Sequence, residues 1–489
     1  MLFRRRLLGL DLPSFVVAVV ATVLVFIGTI VYGTRSDHSE LPYFVKTILP
    51  GGRCQCETST TFECDTCLDC AASPPAPPNW SEDVQKNWTF QFGRDGLNEA
   101  LTPDQCSASF PGLFEDVYRA AKHRRANHIT KEELSSFEFV NGMVRVVIHD
   151  GELYVLQSSM SDHNYRKKAI AALYAIHRAI TSVPHRNSIP NIEFVFTVED
   201  MARDPAKPLW ALARRAQDQN LWLMPDFGFW SWDVRALGPY TEVVSEVIRR
   251  ESFEPWENKQ KKLVWRGKLA YAPKLRRALV DATKGKSWSA VSAIQWHDPH
   301  SMQVDFVGPV DQCNYLFIAH AEGNYQPLIL LQHSGGIFVL ISPGRSYSGS
   351  MKYRQICRSV IISHKLQWIQ HYHYLLISNG TNQNFVEVER DFSDLDVTME
   401  HLLANPEDAK RIADNNVKTF RERYLTAAAE ACYWRALIRA YAEVSFEPEL
   451  YELNDAVGVK GHHSWPDRRG VRFETFVYVA IVMKRIRSE

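Results

Sequence analysis

The sequence predicts an α/β protein in which two doubly wound domains face a cleft, behind an N-terminal membrane-spanning helix. From about residue 110, short β-branched and aromatic runs alternate with helical patterns, which is typical of parallel sheets covered by helices. The pattern divides into two blocks near residue 250, and a chain of 489 residues has room for both. The run from Leu12 to Thr34 carries no charge, and roughly 20 apolar residues are enough to cross a bilayer core.

Positive charge at the start of the chain predicts the orientation of this span. Three arginines at positions 4 to 6 precede the apolar run, and only Arg35 follows it closely. Because basic residues stay on the cytoplasmic side, residues 1–11 are predicted to be a cytosolic tail and residues 12–34 a transmembrane anchor. The run is too long for a signal-peptide core, although a cleaved signal is the alternative. We therefore expect a single-pass type II protein of the Golgi or endoplasmic reticulum membrane.

Cysteine and proline indicate that residues 35–109 form a lumenal stem. The Pro-rich segment at 73–78 is predicted to be a stiff spacer. In the lumen the clustered cysteines favour disulfides, whereas in the cytosol their spacing would favour zinc. Asn-x-Ser/Thr triplets at Asn79, Asn87 and Asn379 agree with a lumenal location as glycosylation acceptors. The clustered cysteines are Cys54, Cys56, Cys64, Cys67, Cys70 and Cys106, and three others in apolar contexts, Cys313, Cys357 and Cys432, are predicted simply to be buried.

Residues 110–250 are predicted to form the first α/β domain, 251–425 the second, and 426–489 a C-terminal helix and tail. In the first, an Asp150-Gly151 turn between two short apolar runs is a hairpin signal. The predicted helices are 114–123, 165–180, 275–282, 399–403, 407–424 and 427–441. The predicted strands are 143–148, 153–156, 192–197, 315–319 and 359–362.

Two segments have the composition of phosphate-binding elements. Ser346–Ser350 is a turn of small residues that precedes a helix-compatible segment, and Arg266-Gly267 follows an apolar pair. Such a turn can expose backbone N–H groups, and arginine supplies a planar fork of donors, although an ordinary loop is the commoner explanation of either segment alone. Arg266, Asp200 and the 346–352 turn all fall just after candidate strand segments, and ligands of open α/β sheets bind at the carboxyl ends of strands.

Other classes of function are disfavoured by charge and by missing motifs. Lys plus Arg and Asp plus Glu are equal at 56 each, so no basic field predicts a nucleic-acid partner. The sequence lacks the patterns of dinucleotide oxidoreductases, P-loop enzymes, zincins and α/β-hydrolases. His371 and His373 have no third partner at a suitable spacing, so we predict no metal site.

Six segments between about residues 140 and 450 form a recognisable ordered set. They are 191–200, Met224-Pro225-Asp226-Phe227-Gly228-Phe229-Trp230, Leu263-Val264-Trp265-Arg266-Gly267, 313–317, 346–362 and Ala431-Cys432-Tyr433-Trp434. In their order and spacing these segments resemble glycosyltransferase family 90, the family of fungal capsule-associated proteins and protein O-glucosyltransferases. The block N-F-V-E-V-E-R-D-F-S-D-L, with F-R-E-R-Y-L-T-A-A-A-E-A-C-Y-W-R, resembles a filamentous-fungal branch.

The resemblance implies a GT-B architecture with an acceptor-side first domain and a UDP-sugar-binding second domain. It implies inverting, metal-independent transfer, with the UDP-sugar as co-substrate and no other cofactor. A carboxylate base is required, and Asp200 and Asp162 are the candidates, although either could equally cap a helix or bind an arginine. The implied donor-binding residues are Pro225, Phe227, Phe229, Trp230, Arg266, Gly267, Arg345, Ser346, Tyr347, Ser348, Gly349, Ser350 and Lys352, although the aromatic residues could equally belong to the core.

Two departures from the family pattern bear on activity. Ser350 stands where relatives carry Arg inside the turn, and Lys352 is expected to compensate in part. The apolar segment 324–344 has no counterpart, and we interpret it as an insertion that a retained intron would explain, with a genuine hairpin near Gly335-Gly336 as the alternative.

We expect transfer of a sugar, glucose or xylose, from a UDP-sugar to a hydroxyl of a glycan or a protein Ser. The alternative is a catalytically inactive member that binds sugar or UDP or acts as a scaffold. A hydrolase with paired carboxylates is a third possibility that no spacing supports.

Overall fold

The structure is a computed structural model that describes residues 19–23, 25, 88–161, 163–183, 185–232, 237–294, 306–323, 329–333, 336–340, 346–452 and 467–478. The chain divides into two compact units, residues 1–88 and 89–489. In the first unit, residues 19–23 and 25 of the predicted anchor are helical. Among the described residues, no helix is both long and apolar enough to cross a membrane. The rest of the predicted anchor and the stem cysteines 54–70 lie outside the described residues.

Two sheets dominate the second unit. The strands of the first sheet are β1 Met143–His149, β2 Glu152–Ser159, β3 Ile192–Thr197, β4 Leu209–Ala211, β5 Trp222–Leu223 and β15 Val471–Arg472. Those of the second are β6 Gln260–Gly267, β7 Ser289–Ala293, β8 Tyr315–His320, β11 Val360–His364 and β12 Val386–Val388. The strand order is β15-β2-β1-β3-β4-β5 in the first sheet and β12-β11-β8-β6-β7 in the second.

The first sheet is mixed in direction. The turn at Asp150 and Gly151, both with positive φ, joins β1 to β2 as the predicted hairpin, and β3 is antiparallel to β1. Only β3, β4 and β5 run parallel. The expectation of two doubly wound sheets is therefore wrong for the first sheet, because a hairpin places neighbouring strands antiparallel.

The second sheet is wholly parallel, as expected. The chain starts at β6, crosses to β7 on one side, and then returns to β8 on the other side of β6. It continues outward through β11 to β12. The strand order therefore reverses between β6 and β8, and their carboxyl ends lie at the same edge. The predicted domain boundary near residue 250 falls between the two sheets but stays a prediction.

Twelve α-helices with both ends described follow residue 88, and residues 473–478 are helical as well. Trp210 of β4 stacks on Phe194 of β3, with ring centroids 3.7 Å apart, and packs against Trp434. The helices are α1 Phe92–Asp95, α2 Pro103–Ser109, α3 Glu115–Arg124, α4 Lys131–Ser135, α5 His163–Thr181, α6 Tyr240–Glu251, α7 Pro273–Thr283, α8 Pro309–Gln312, α9 Met351–Gln355, α10 Leu395–Ala404, α11 Pro406–Asn416 and α12 Ala427–Ala442, with a π-helical segment at Val417–Tyr424 between the last two.

Two disulfides join distant parts of the second unit. Cys106 of α2 is bonded to Cys432 of α12, and Cys313 before β8 is bonded to Cys357 after α9. Cys313, Cys357 and Cys432 are buried, as expected, but each also forms a disulfide that the sequence prediction missed, because sequence spacing does not reveal the partners that folding brings together. Cys106 belongs to this unit and not to the stem cluster.

Two further strand pairs lie outside the main sheets. β9 Ile329–His333 and β10 Gly336–Leu340 form an antiparallel hairpin within the unplaced apolar segment, which agrees with the hairpin alternative. β13 Tyr451–Glu452 pairs with β14 Asp467–Arg468. β15 then adds a C-terminal strand to the edge of the first sheet.

Candidate active site

A cavity of about 350 Å³ lies at the carboxyl edge of the second sheet. Glu322 and Gly323, which follow β8, line this cavity together with the start of α7, which follows β6. Because the strand order reverses between β6 and β8, the cavity occupies the topological switch point of the sheet. Open α/β sheets bind their ligands at this position.

The cavity wall contains two cations and two carboxylates, the latter from Glu322 and Asp391. Lys274, in the first turn of α7, and Arg390, after β12, both contribute to its wall. The N-cap residue of α7 is Ala272, whose side chain makes no capping hydrogen bond. N–H groups at a helix N-terminus carry partial positive charge and bind anions. An anion in the cavity would therefore meet two side-chain cations and the start of α7, with the carboxylates of Glu322 and Asp391 in the same wall.

The Glu322 carboxylate connects three loops at this edge. Its Oε1 accepts hydrogen bonds from the N–H groups of Gln367 and Trp368, at 2.9 and 2.8 Å. Its Oε2 accepts one from Arg390 Nη1 at 2.9 Å. Burial raises the pKa of Glu322, and the Trp368 N–H and the Arg390 guanidinium oppose that shift. The backbone N–H of Glu322 donates to His364 Nε2 at 2.9 Å, so the loops after β8, β11 and β12 are fixed together.

Two buried arginines lie near this edge of the second sheet, and one of them holds the backbone around the cavity. Arg276 of α7 donates to the carbonyls of Lys268 and Gly323, at 2.8 and 2.7 Å. Arg354 of α9 contacts His320 Nδ1 at 2.6 Å. Burial lowers the pKa of Arg276 to about 10 and that of Arg354 to about 9. Both guanidiniums are therefore charged at neutral pH, and they add to the positive potential of this edge.

The predicted phosphate turn is mostly buried, and its hydroxyls bond to protein groups. The Ser346 hydroxyl donates to the backbone carbonyl of Asp200. The hydroxyls of Ser348 and Ser350 lie 2.8 Å apart and bond to each other. Gly349 and the following one-turn helix α9 are buried as well. Of the turn residues, only Ser346 lines the cavity.

Tyr347 and Lys352 are committed to a buried carboxylate, Asp226. The Tyr347 hydroxyl donates to Asp226 Oδ2 at 2.7 Å, and Lys352 Nζ donates to Oδ1 at 3.0 Å. Lys352 also donates to the Gly349 carbonyl at 2.9 Å and is 1% exposed. The expectation that Lys352 offers its charge to a phosphate is not supported by this geometry, because the ammonium has its partners within the core.

The candidate base Asp200 lies between these two regions. Its Oδ1 is 3.6 Å from Lys168 Nζ, and its side chain is 12% exposed. Burial raises the pKa of Asp200 to about 6, against the attraction of Lys168 and with a smaller contribution from Asp226. Its Oδ1 has no hydrogen-bond partner among the described residues. A carboxylate with a pKa near neutrality has the properties of a general base, and this one keeps an oxygen that faces Lys168 without a hydrogen bond to a described residue.

The aromatic segment at 225–230 belongs largely to the core. Pro225, Phe227 and Phe229 are buried, and the Phe229 ring packs against Tyr240 with centroids 5.1 Å apart. Trp230 is half-buried and stacks on Tyr174 at 5.5 Å. None of these residues lines the cavity at the second sheet. Of the two interpretations open for the aromatic residues, core packing is the one that the structure favours.

Arg266 and Gly267 end β6 but do not line the cavity. The Arg266 guanidinium donates to the carbonyls of Trp265, at 3.0 Å, and Ala290. A Cβ at Gly267 would lie 2.5 Å from Cζ2 of the Trp265 side chain, so glycine is required here for packing. The predicted diphosphate role of this step therefore finds no support in the cavity geometry.

Two predicted site residues, Asp162 and Arg345, lie outside the described residues. No group of three or more potential metal ligands occurs in the part of the chain that the structure describes. Conversely, the sequence prediction missed Glu322, Lys274 and Arg390. Glu322 follows a predicted strand, and this position could have indicated it, whereas Arg390 was part of a recognised block without an assigned role.

Comparisons with known proteins support the predicted resemblance. The model of the family described as Glycosyl transferase family 90 matches residues 102–460. Among curated proteins, no sequence matches this chain. Among solved structures, the chain is similar to the crystal structure of Anabaena Alr3699/HepE in complex with UDP and glucose, at 10% identity and a TM-score of 0.28, over 53% of this chain and 72% of that chain. A TM-score this low carries no argument, and the filamentous-fungal branch stays a prediction.

Proposed function

The chain belongs to glycosyl transferase family 90, and we propose that it transfers a sugar from a UDP-sugar to an acceptor hydroxyl. The observation that carries the proposal is the cavity at the switch point of the parallel sheet, with Lys274, Arg390 and the start of α7 in its wall. A diphosphate is a dianionic group that these cations can neutralise. The cavity therefore supports a donor site at this edge.

Asp200 is the proposed general base. The acceptor hydroxyl oxygen attacks the anomeric carbon of the donor, and Asp200 takes the hydroxyl proton. The bond between that carbon and the diphosphate oxygen breaks, and UDP leaves with the electron pair, so the configuration inverts. A pKa of about 6 keeps Asp200 mostly ionised at pH 7, yet basic enough to accept a proton as the bond forms. Ser346 lines the cavity, and its hydroxyl donates a hydrogen bond to the backbone carbonyl of Asp200, so the Asp200 loop lies next to the cavity wall.

The finer features of the proposal follow from the family. The transferred sugar is glucose or xylose, the acceptor is a glycan or a protein Ser, and transfer needs no metal, because positive side chains can offset the charge of the leaving group. The GT-B arrangement and a Golgi or endoplasmic reticulum location with an N-terminal anchor belong to the same proposal.

A second candidate function is a catalytically inactive member that binds UDP or sugar. The ion pair of Asp200 with Lys168 favours it, because a lysine 3.6 Å away gives the carboxylate a structural role. Ser350 favours it as well, since its hydroxyl bonds to Ser348 and supplies no cation where relatives carry Arg.

Assays of the full-length chain with a panel of UDP-sugars and hydroxyl acceptors test the two candidates. The proposed function predicts UDP release that depends on the acceptor, with one glycosylated product. UDP binding without turnover on any acceptor would support the inactive alternative. Absence of UDP binding would contradict both.

A further inference from the structure

Arg390 differs from the other arginines around the cavity in how its guanidinium is used. All of its hydrogen bonds within the described residues are made by Nη1, which donates to Glu322 Oε2 at 2.9 Å and to the Lys365 carbonyl at 3.0 Å. Nε and Nη2 bond to no described residue. The side chain is 31% exposed and lines the cavity.

The guanidinium of Arg390 is therefore held through Nη1, and its other two nitrogens, Nε and Nη2, keep N–H groups that can donate to a ligand. Arginine binds phosphate through pairs of parallel N–H donors, and fixing the group beforehand reduces the entropy lost on binding. By contrast, Arg276 uses three nitrogens on backbone carbonyls and is buried. Among these two arginines, Arg390 is therefore the one with donors left for a ligand.

Negative charge in the same wall does not compete for these donors. Glu322 is 3% exposed, and its two oxygens are occupied by the N–H groups of Gln367 and Trp368 and by Arg390 itself. Asp391 is exposed and accepts from the N–H and hydroxyl of Ser393 through Oδ1, at 3.1 and 2.7 Å, and no hydrogen bond joins it to Arg390 within the described residues.

We propose that Arg390 is the side chain that binds the diphosphate of the donor, and that Glu322 is the positioning residue that holds it. The inference rests on the proposed function and deepens it, because it identifies a cation for the donor phosphates in a chain that has Ser350 at the position of the family arginine. Glu322 acts through Arg390, whose Nη1 it holds, and does not itself bind the ligand.

Binding of UDP and uridine to the full-length chain, measured by calorimetry, tests this assignment. Arg390→Gln is expected to weaken UDP binding by about 10- to 100-fold, the effect of losing a charge-assisted pair of hydrogen bonds, and to leave uridine binding unchanged. Arg277→Gln is the matched control, since Arg277 is an exposed cation on α7 outside the cavity wall. It is expected to bind UDP as the wild type does.

A double-mutant cycle tests the role of Glu322. Glu322→Gln should weaken UDP binding in the wild-type background and have little further effect in Arg390→Gln, because its influence passes through Arg390. If Glu322 only stabilises the fold, Glu322→Gln would lower the affinities for UDP and uridine equally in both backgrounds. That result would overturn the positioning assignment. If Arg390→Gln does not fold, Arg390→Lys serves in its place, with an expected loss of about 10-fold because the fork is lost while the charge stays.

The outcomes separate this inference from the proposed function. UDP binding that is unchanged in Arg390→Gln, in an enzyme that still transfers sugar, would overturn the inference alone. A wild-type chain that does not bind UDP would overturn both.

Discussion

The cavity edge of the second sheet and the Ser346–Ser350 turn contain similar chemical groups but use them differently. In the turn, Tyr347 and the nearby Lys352 both bond to Asp226, and all three side chains are at most 2% exposed. At the cavity, Arg390 is held at one end only and is 31% exposed. A polar group that has its partners within the core stabilises the fold, whereas a group with donors left over can bind a ligand. Composition alone does not distinguish these two cases.

The largest effect is expected for the base that lies between the two regions. Asp200→Asn removes the proton acceptor and keeps the size of the side chain, so kcat should fall by about 10²- to 10⁴-fold. UDP binding should be retained, because Asp200 does not line the cavity. Initial rates of acceptor glycosylation and calorimetric UDP binding measure the two quantities. A variant with wild-type kcat would exclude Asp200 as the base and leave Asp162 as the candidate.

Removal of the buried carboxylate tests the structural role of the turn. Asp226→Ala leaves the Lys352 ammonium buried without its ion-pair partner, and breaking such a pair costs about 3–5 kcal/mol of unfolding free energy. The control is Asp311→Ala, which breaks an exposed pair with Arg250 and should cost at most about 1 kcal/mol. Denaturant unfolding measures both. If the two variants lost the same unfolding free energy, the ion pair of Asp226 with Lys352 would not contribute more to stability than an exposed pair.

A glycine in the cavity wall provides a smaller test of the other region. Gly323 has φ +133°, and a Cβ there would lie 2.6 Å from Ala272 Cβ at the start of α7. Gly323→Ala should therefore cost about 2–3 kcal/mol of stability and weaken UDP binding by moving α7. Gly285→Ala is the control, with φ +73° and nothing within 4 Å, and should cost about 1 kcal/mol without an effect on UDP. If Gly323→Ala bound UDP with the affinity of the wild type, the loop at Gly323 would not contribute to the donor site.

Features that depend on neighbouring residues were predictable from the sequence, whereas contacts between distant parts of the chain were not. The strand at 192–197 was predicted with the bounds of β3, and the hairpin at Asp150 was correct, because periodicity and turn chemistry are local. The parallel second sheet followed from the alternation of helices and strands. The meeting of Glu322 with Arg390 depends on three loops that are far apart in the chain, so no pattern around either residue reveals it.

The smallest effect is expected for a shift in the pH profile of transfer, which reports on the environment of the proposed base, Asp200. Since Asp200 must be ionised to accept a proton, kcat/KM should fall about tenfold per pH unit below its pKa of about 6 and level off above it. Burial disfavours the charged form and Lys168 favours it, so Lys168→Met should raise the pKa and move the acid limb to higher pH. Lys122→Met, an exposed lysine of α3, should leave the profile in place. An acid limb that stays near pH 4 in the wild type would mean that the carboxylate is solvated during turnover. The burial that distinguishes Asp200 from a surface acid would then not persist in the working enzyme.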